Sequence, residues 1–131
     1  MSLPGLLLAA GLAAPVAAET AILECVTSRS EAGGALRLEF RTSLVREWRL
    51  QKASLFLHVR NGPAPSRLEI SAPGTKARVR TQPPVKGWVQ VDLPEKLVRR
   101  LTAGALVIRE GAGFDARQSI NAAPYLYVVG R

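Results

Sequence analysis

His58 is the only histidine in the chain and Cys25 the only cysteine. Catalysis by an activated nucleophile needs a base beside a serine or cysteine. His58 lies between Leu57 and Val59, shares its face with Phe56 and Arg60, and has no acid or cysteine beside it in sequence. No Gly-x-Ser-x-Gly elbow, Walker loop or dinucleotide fingerprint occurs. Glycoside hydrolysis needs a pair of carboxylates. The acids here (Glu19, Glu24, Glu31, Glu39, Glu47, Glu69, Asp92, Glu95, Glu110 and Asp115) are scattered, and most have a basic neighbour. One cysteine supports neither a disulfide framework nor a multi-cysteine zinc site, and Cys25 reads as a small buried hydrophobe. The expectation is a protein that is not an enzyme, with no catalytic residue, no metal and no cofactor.

Positive charge is the informative excess. The 131 residues include 18 Lys+Arg against 10 Asp+Glu, a net charge of +8, with a pI near 10.8. Lys76, Arg78 and Arg80 alternate on an expected strand, so they project from one face at roughly 7 Å intervals. Lys86 and Trp88 follow. Arginine pairs carboxylate and sulfate through two parallel hydrogen bonds, and an exposed tryptophan can stack on a sugar ring. Lys76, Arg78, Arg80 and Trp88 are therefore the candidate ligand-binding residues, on a shallow polyanion-binding surface. The plainer reading of the same charge is a solvated face that keeps the protein in solution. Trp88 and Trp48 equally suit the rim of a core. A second basic group, Arg37, Arg41, Arg46, Arg49 and Lys52, crowds the second and third expected strands. Nucleic acid is the other partner such a pI suggests. It is disfavoured, because the basic residues run along the whole chain and no recognition helix or stacking motif occurs.

The elements that must carry these residues follow from periodicity. Residues 1–18 hold no charge, and their apolar run from Leu3 to Ala14 ends at Pro15 and the small residues Val16-Ala17-Ala18. This is the layout of a secretory signal cut after Ala18, too short and too rich in Gly and Pro for a membrane span. Residues 19–131 are then one secreted or periplasmic domain with no transmembrane segment. Beyond the signal the period is two. Leu36, Leu38 and Phe40 oppose Arg37, Glu39 and Arg41; Ala53, Leu55, Leu57 and Val59 oppose Ser54, Phe56, His58 and Arg60. Leu68 and Ile70 oppose Arg67, Glu69 and Ser71, and Val89 and Val91 oppose Trp88, Gln90 and Asp92. Residues 20–26, 105–110 and 124–129 are further strand candidates, and Gly- or Pro-rich turns separate the runs. Residues 93–101 instead carry Pro and Glu first, Arg near the end, and Leu97, Val98 and Leu101 on one side, the pattern of a short helix lying as a lid across one end. The expected fold is an all-β, jelly-roll-like antiparallel β-sandwich with one short helix near residues 94–101.

Leu36-Arg37-Leu38-Glu39-Phe40, Leu50 to Val59, Gly87-Trp88-Val89-Gln90-Val91-Asp92-Leu93, and the closing Phe114-Asp115-Ala116-Arg117-Gln118 with Pro124-Tyr125-Leu126-Tyr127-Val128 resemble, in order, the strands of the bacterial DNRLRE domain, a carbohydrate-binding module. The propeptide arm of the TGF-β family has a similar strand order and closing motif. Gln118 stands where the closing motif has Glu, and the stretch from Ala72 to Gly87 is short and lacks the family's Trp-bearing segment. The resemblance implies a jelly-roll-like sandwich and a non-catalytic exported module binding glycan, here an anionic polysaccharide, or acting as a cell-surface accessory domain. The alternative is a structural or protein-interaction module with no sugar ligand, partnered by another exported protein. The oligomeric state is left open.

Overall fold

The computed structural model describes residues 17–131. The expected signal, residues 1–18, lies outside the described residues except for Ala17 and Ala18. Among the described residues, eight strands form: β1 Glu19–Ser30, β2 Leu36–Phe40, β3 Leu50–His58, β4 Arg67–Ala72, β5 Thr75–Arg80, β6 Trp88–Asp92, β7 Leu106–Ile108 and β8 Tyr125–Gly130. One α-helical turn among them, α1, spans Glu95–Val98. Every strand pairs antiparallel, in the order β5-β4-β7-β2-β1-β8-β3-β6.

These eight strands are one sheet that turns 265° round an axis, nearly closing into a barrel. The expectation of a two-layer, jelly-roll-like sandwich is thus corrected. The physical reason lies in β1, which is longer than residues 20–26. Its first half, Glu19 to Glu24, pairs with β8, and its second half, Cys25 to Ser30, pairs with β2. A bulge between Cys25 and Thr27 bends the strand where it changes partner, as bulges do when a sheet must curl. Hydrogen bonding therefore runs unbroken from one half of the sheet to the other. Alternation along a strand is the same in a sandwich and a barrel, so periodicity fixed which side chains point inward and not whether the sheet closes.

The inward set is the one alternation marks. Leu36, Leu38, Ala53, Leu55, Leu57, Leu68, Ile70, Val89, Val91, Leu106, Ile108, Leu126 and Val128 are all buried in one cluster. Burying each leucine contributes roughly 2 kcal/mol. Leu97, Val98 and Leu101 join that cluster, and α1 packs against β3 and β5, so the helical turn covers one end of the barrel. The helix is shorter than residues 94–101 because the chain leaves it through successive tight turns after Val98.

Cys25 is 6% exposed, and its Sγ donates to the Thr27 carbonyl oxygen at 3.3 Å. Burial pushes its thiol pKa up, against smaller opposing effects from backbone hydrogen bonding at Thr27 and from the charge of Arg117. The thiolate, not the thiol, is the nucleophile. A disulfide reagent at pH 8 is therefore expected to modify the native protein about a hundredfold more slowly than the denatured chain. Rapid stoichiometric labelling under native conditions would contradict this placement.

Candidate functional site

The outer surface of the barrel divides into a basic face and an aromatic face. On β5, Ala77 and Val79 pack against the core, which turns Lys76, Arg78 and Arg80 outward, and all three are exposed. Directly opposite them on β4 stand Ser71, Glu69 and Arg67 respectively. The row continues from Ser71 to Val107 on β7 and on to Arg37 on β2. Arg109 also reaches this face, 3.6 Å from the Glu69 carboxylate. Among the described residues, Arg67, Lys76, Arg78, Arg80 and Arg37 make no ion pair. Arg67 joins the expected residues through turn geometry. It lies six residues before the Pro73-Gly74 turn and Arg80 six residues after it, so a two-residue hairpin loop pairs them.

Trp88 lies apart from this row. Gln82, just past β5, donates its backbone N–H to the Gln90 carbonyl at 3.0 Å. This levels the end of β5 with the middle of β6. From there β5 runs away from Trp88, and Lys76 is about 20 Å further along at ~3.3 Å per residue. The structure therefore groups Lys76, Arg78 and Arg80 on one side of the barrel's open seam and sets Trp88 on the other.

Trp88 belongs to the aromatic face instead. Its ring meets Tyr125 edge-on at 5.5 Å and His58 edge-on at 5.0 Å, while Phe56 and Tyr125 stack at 4.7 Å. The pairing of β6, β3 and β8 puts these rings on adjacent outward positions. The Val85-Lys86-Gly87-Trp88 hairpin fixes the tryptophan; Lys86 and Gly87 have φ of 52° and 86°, as a two-residue turn with both central residues left-handed requires. A Cβ on Gly87 would fall 2.7 Å from His58 Nε2, so that nitrogen lies against backbone.

The other nitrogen of His58 has an acid partner that sequence proximity could not reveal. Asp115 Oδ2 is 2.7 Å from His58 Nδ1, held there because the Asp115 N–H donates to the His58 carbonyl at 2.8 Å and the neighbouring Phe114 is anchored in the core. Ser119 Oγ donates to Asp115 Oδ1 at 3.2 Å. The carboxylate is the middle member of this Ser119–Asp115–His58 chain. A nucleophilic triad needs the imidazole in the middle, touching the hydroxyl. The arrangement clamps the 111–119 segment to the end of β3.

Asp92 carries the second polar cluster. It accepts from Ser54 Oγ at 2.7 Å, Gln90 Nε2 at 2.9 Å and Gln82 Nε2 at 2.8 Å. The hydrogen bond from Ser54 lowers its pKa most, with Gln90 and Gln82 adding to it and partial burial opposing. The Gln82 amide crosses the seam, so this carboxylate helps hold the two barrel edges together. With its folded pKa below the ordinary carboxylate value, Asp92 contributes stability that is complete above about pH 4 and is lost as pH falls through the folded pKa. Asp92→Asn is expected to flatten the acid limb of the stability curve, read as urea midpoints between pH 2.5 and 5. An unchanged acid limb would count against Asp92 as a seam contact.

A groove of about 770 Å³ lies beside α1 and is lined in part by Arg49, Lys52, Asp92, Glu95 and Arg99. Both of its acids are already engaged, Asp92 as above and Glu95 by Arg99. Among the described residues, no three His, Cys, Asp or Glu side chains are grouped to hold a metal ion, and no helix is long and apolar enough to cross a membrane. Comparison with protein-family models and with curated proteins returns no match. The resemblance to the DNRLRE domain thus rests on the strand motifs themselves.

Proposed function

We propose that the barrel is a non-catalytic exported module that binds an anionic polysaccharide on the outer face of β5 and β4. The observation that carries this reading is the exposed row Lys76, Arg78 and Arg80, joined by Arg67, with no ion pair to any described acid. A solvated face needs charge but no particular order. Here the cations repeat at roughly 7 Å along one strand, a spacing that a chain of charged sugars can follow. The charge-free apolar run from Leu3 to Ala14 supports export, and the DNRLRE resemblance supports a glycan ligand.

Affinity electrophoresis through gels containing a polyuronate, a sulfated polysaccharide or a neutral glucan tests the reading. Retention is expected in the charged gels, weakening as salt rises, with none in the neutral gel. Free migration through both charged gels at low salt would overturn it. A second reading, an interaction module without a sugar ligand, draws on Ile22 and Tyr127. These are cross-strand partners on β1 and β8, 63% and 40% exposed. It predicts a self-associating or partner-bound protein whose assembly is broken by Ile22→Glu and indifferent to polysaccharide.

A further inference from the structure

Arg67 and Arg80 face one another across β4 and β5 and line one groove of about 460 Å³ with Ser66, Thr81 and Pro83. Like charges directly opposite in a sheet repel. Elsewhere on this face the repulsion is relieved, since Arg78 stands opposite Glu69 and Lys76 opposite the neutral Ser71. Two cross-strand pairs set arginines together: Arg29 opposite Arg37, where Glu31 neutralises Arg29, and Arg67 opposite Arg80, where neither has an acid within ion-pair distance among the described residues. Such a pair is offset when an anion sits between its members.

The chemistry of two guanidiniums selects the kind of anion. A carboxylate is planar, and one guanidinium engages both of its oxygens side by side. Two guanidiniums rising from neighbouring strands, with Cβ atoms about 5 Å apart, are matched better by an acceptor with oxygens on more than one side than by the two oxygens of a planar carboxylate. A sulfate ester or a phosphate monoester offers three terminal oxygens in a tetrahedral array. We infer that the Arg67–Arg80 notch is a subsite for such a tetrahedral oxyanion on the polysaccharide, in preference to a uronate. This rests on the reading of the basic face as a polyanion surface and names the group that surface selects. Arg78 and Lys76 supply general attraction; the notch supplies the preference.

The test uses three oligosaccharides of equal length and equal number of charged groups, one sulfated, one phosphorylated and one uronate, titrated against the wild-type chain and single variants. The wild type is expected to bind the sulfated or the phosphorylated probe about tenfold more tightly than the uronate, and the better of the two identifies the ester. Arg67→Gln is expected to abolish that preference, and Arg67→Lys to reduce it although the charge is kept, because an ammonium lacks the planar fork. Arg78→Gln is expected to weaken all three probes alike. The thermal midpoint of Arg67→Gln without added anion is expected to match or exceed that of the wild type, since a repulsion is removed. Added inorganic sulfate is expected to raise the wild-type midpoint more than the variant's. Equal binding of all three probes by the wild type, or a preference that survives Arg67→Gln, overturns the inference and leaves the polyanion surface standing. Failure of every probe to bind the wild type overturns both.

Discussion

Gly111→Ala is expected to be the most destabilising conservative change in the described chain. Gly111 is buried in the turn before Phe114. A Cβ there would lie 2.2 Å from Leu36 Cβ and 2.8 Å from the Leu36 backbone nitrogen. Neither atom is the end of a flexible side chain. Leu36 is itself buried, and its strand β2 is paired on both sides, to β1 and β7. The turn must therefore move, and it carries with it Phe114, Asp115 and the clamp on His58. Overpacking of this kind costs about 3 kcal/mol, which lowers the thermal midpoint of a domain this size by on the order of 10 °C. Gly113→Ala in the same turn is the control. Its Cβ would meet only the Asn61 carbonyl oxygen at 3.5 Å, an ordinary contact. Paired thermal melts check the contrast, and similar midpoints for the two variants would show that the turn is not pressed against β2.

The second large effect concerns binding. Replacing Lys76, Arg78 and Arg80 together by glutamine is expected to lower affinity for a sulfated polysaccharide about a hundredfold at low salt. Each exposed cation contributes about 1 kcal/mol, and three together approach that factor. The slope of log affinity against log salt is expected to flatten by about 2 to 3, because fewer counterions are released. Stability is expected to stay within about 0.5 kcal/mol, as is usual for exposed positions without a buried partner. Trp88→Ala provides the contrast. Its indole packs on His58 and Tyr125, away from β5, so the variant is expected to melt at a lower temperature and to bind the same polymer within about twofold of the wild type. Isothermal titration at two salt concentrations, with a melt of each variant, measures these quantities. If Trp88→Ala loses affinity as strongly as the triple variant, the ligand crosses the seam and the site includes both faces.

Much of the barrel could be read from residue order. Leu55 and Leu57 inward with Phe56 and His58 outward, or Val89 and Val91 inward with Trp88 and Gln90 outward, follow from the two-residue period of an extended chain. The short helical turn follows from Pro94, Glu95, Leu97 and Val98. Even the Arg67–Arg80 pairing was implicit in the Pro73-Gly74 turn, because a two-residue loop dictates register on both sides of it. The Asp115 partner of His58 was not legible, since the two are separated by four strands in sequence and meet only through a hydrogen bond at the end of β3.

Alone, the sequence determined which side chains face the interior, where the chain turns and where positive charge accumulates, because each depends on neighbours a few residues away. Only the tertiary structure decided that the sheet curls into a near-barrel, that Trp88 sits across the seam from the β5 cations, and that Asp115 reaches His58. These depend on the bend at Cys25–Thr27 and on strand partners far apart in the chain, which no local period encodes.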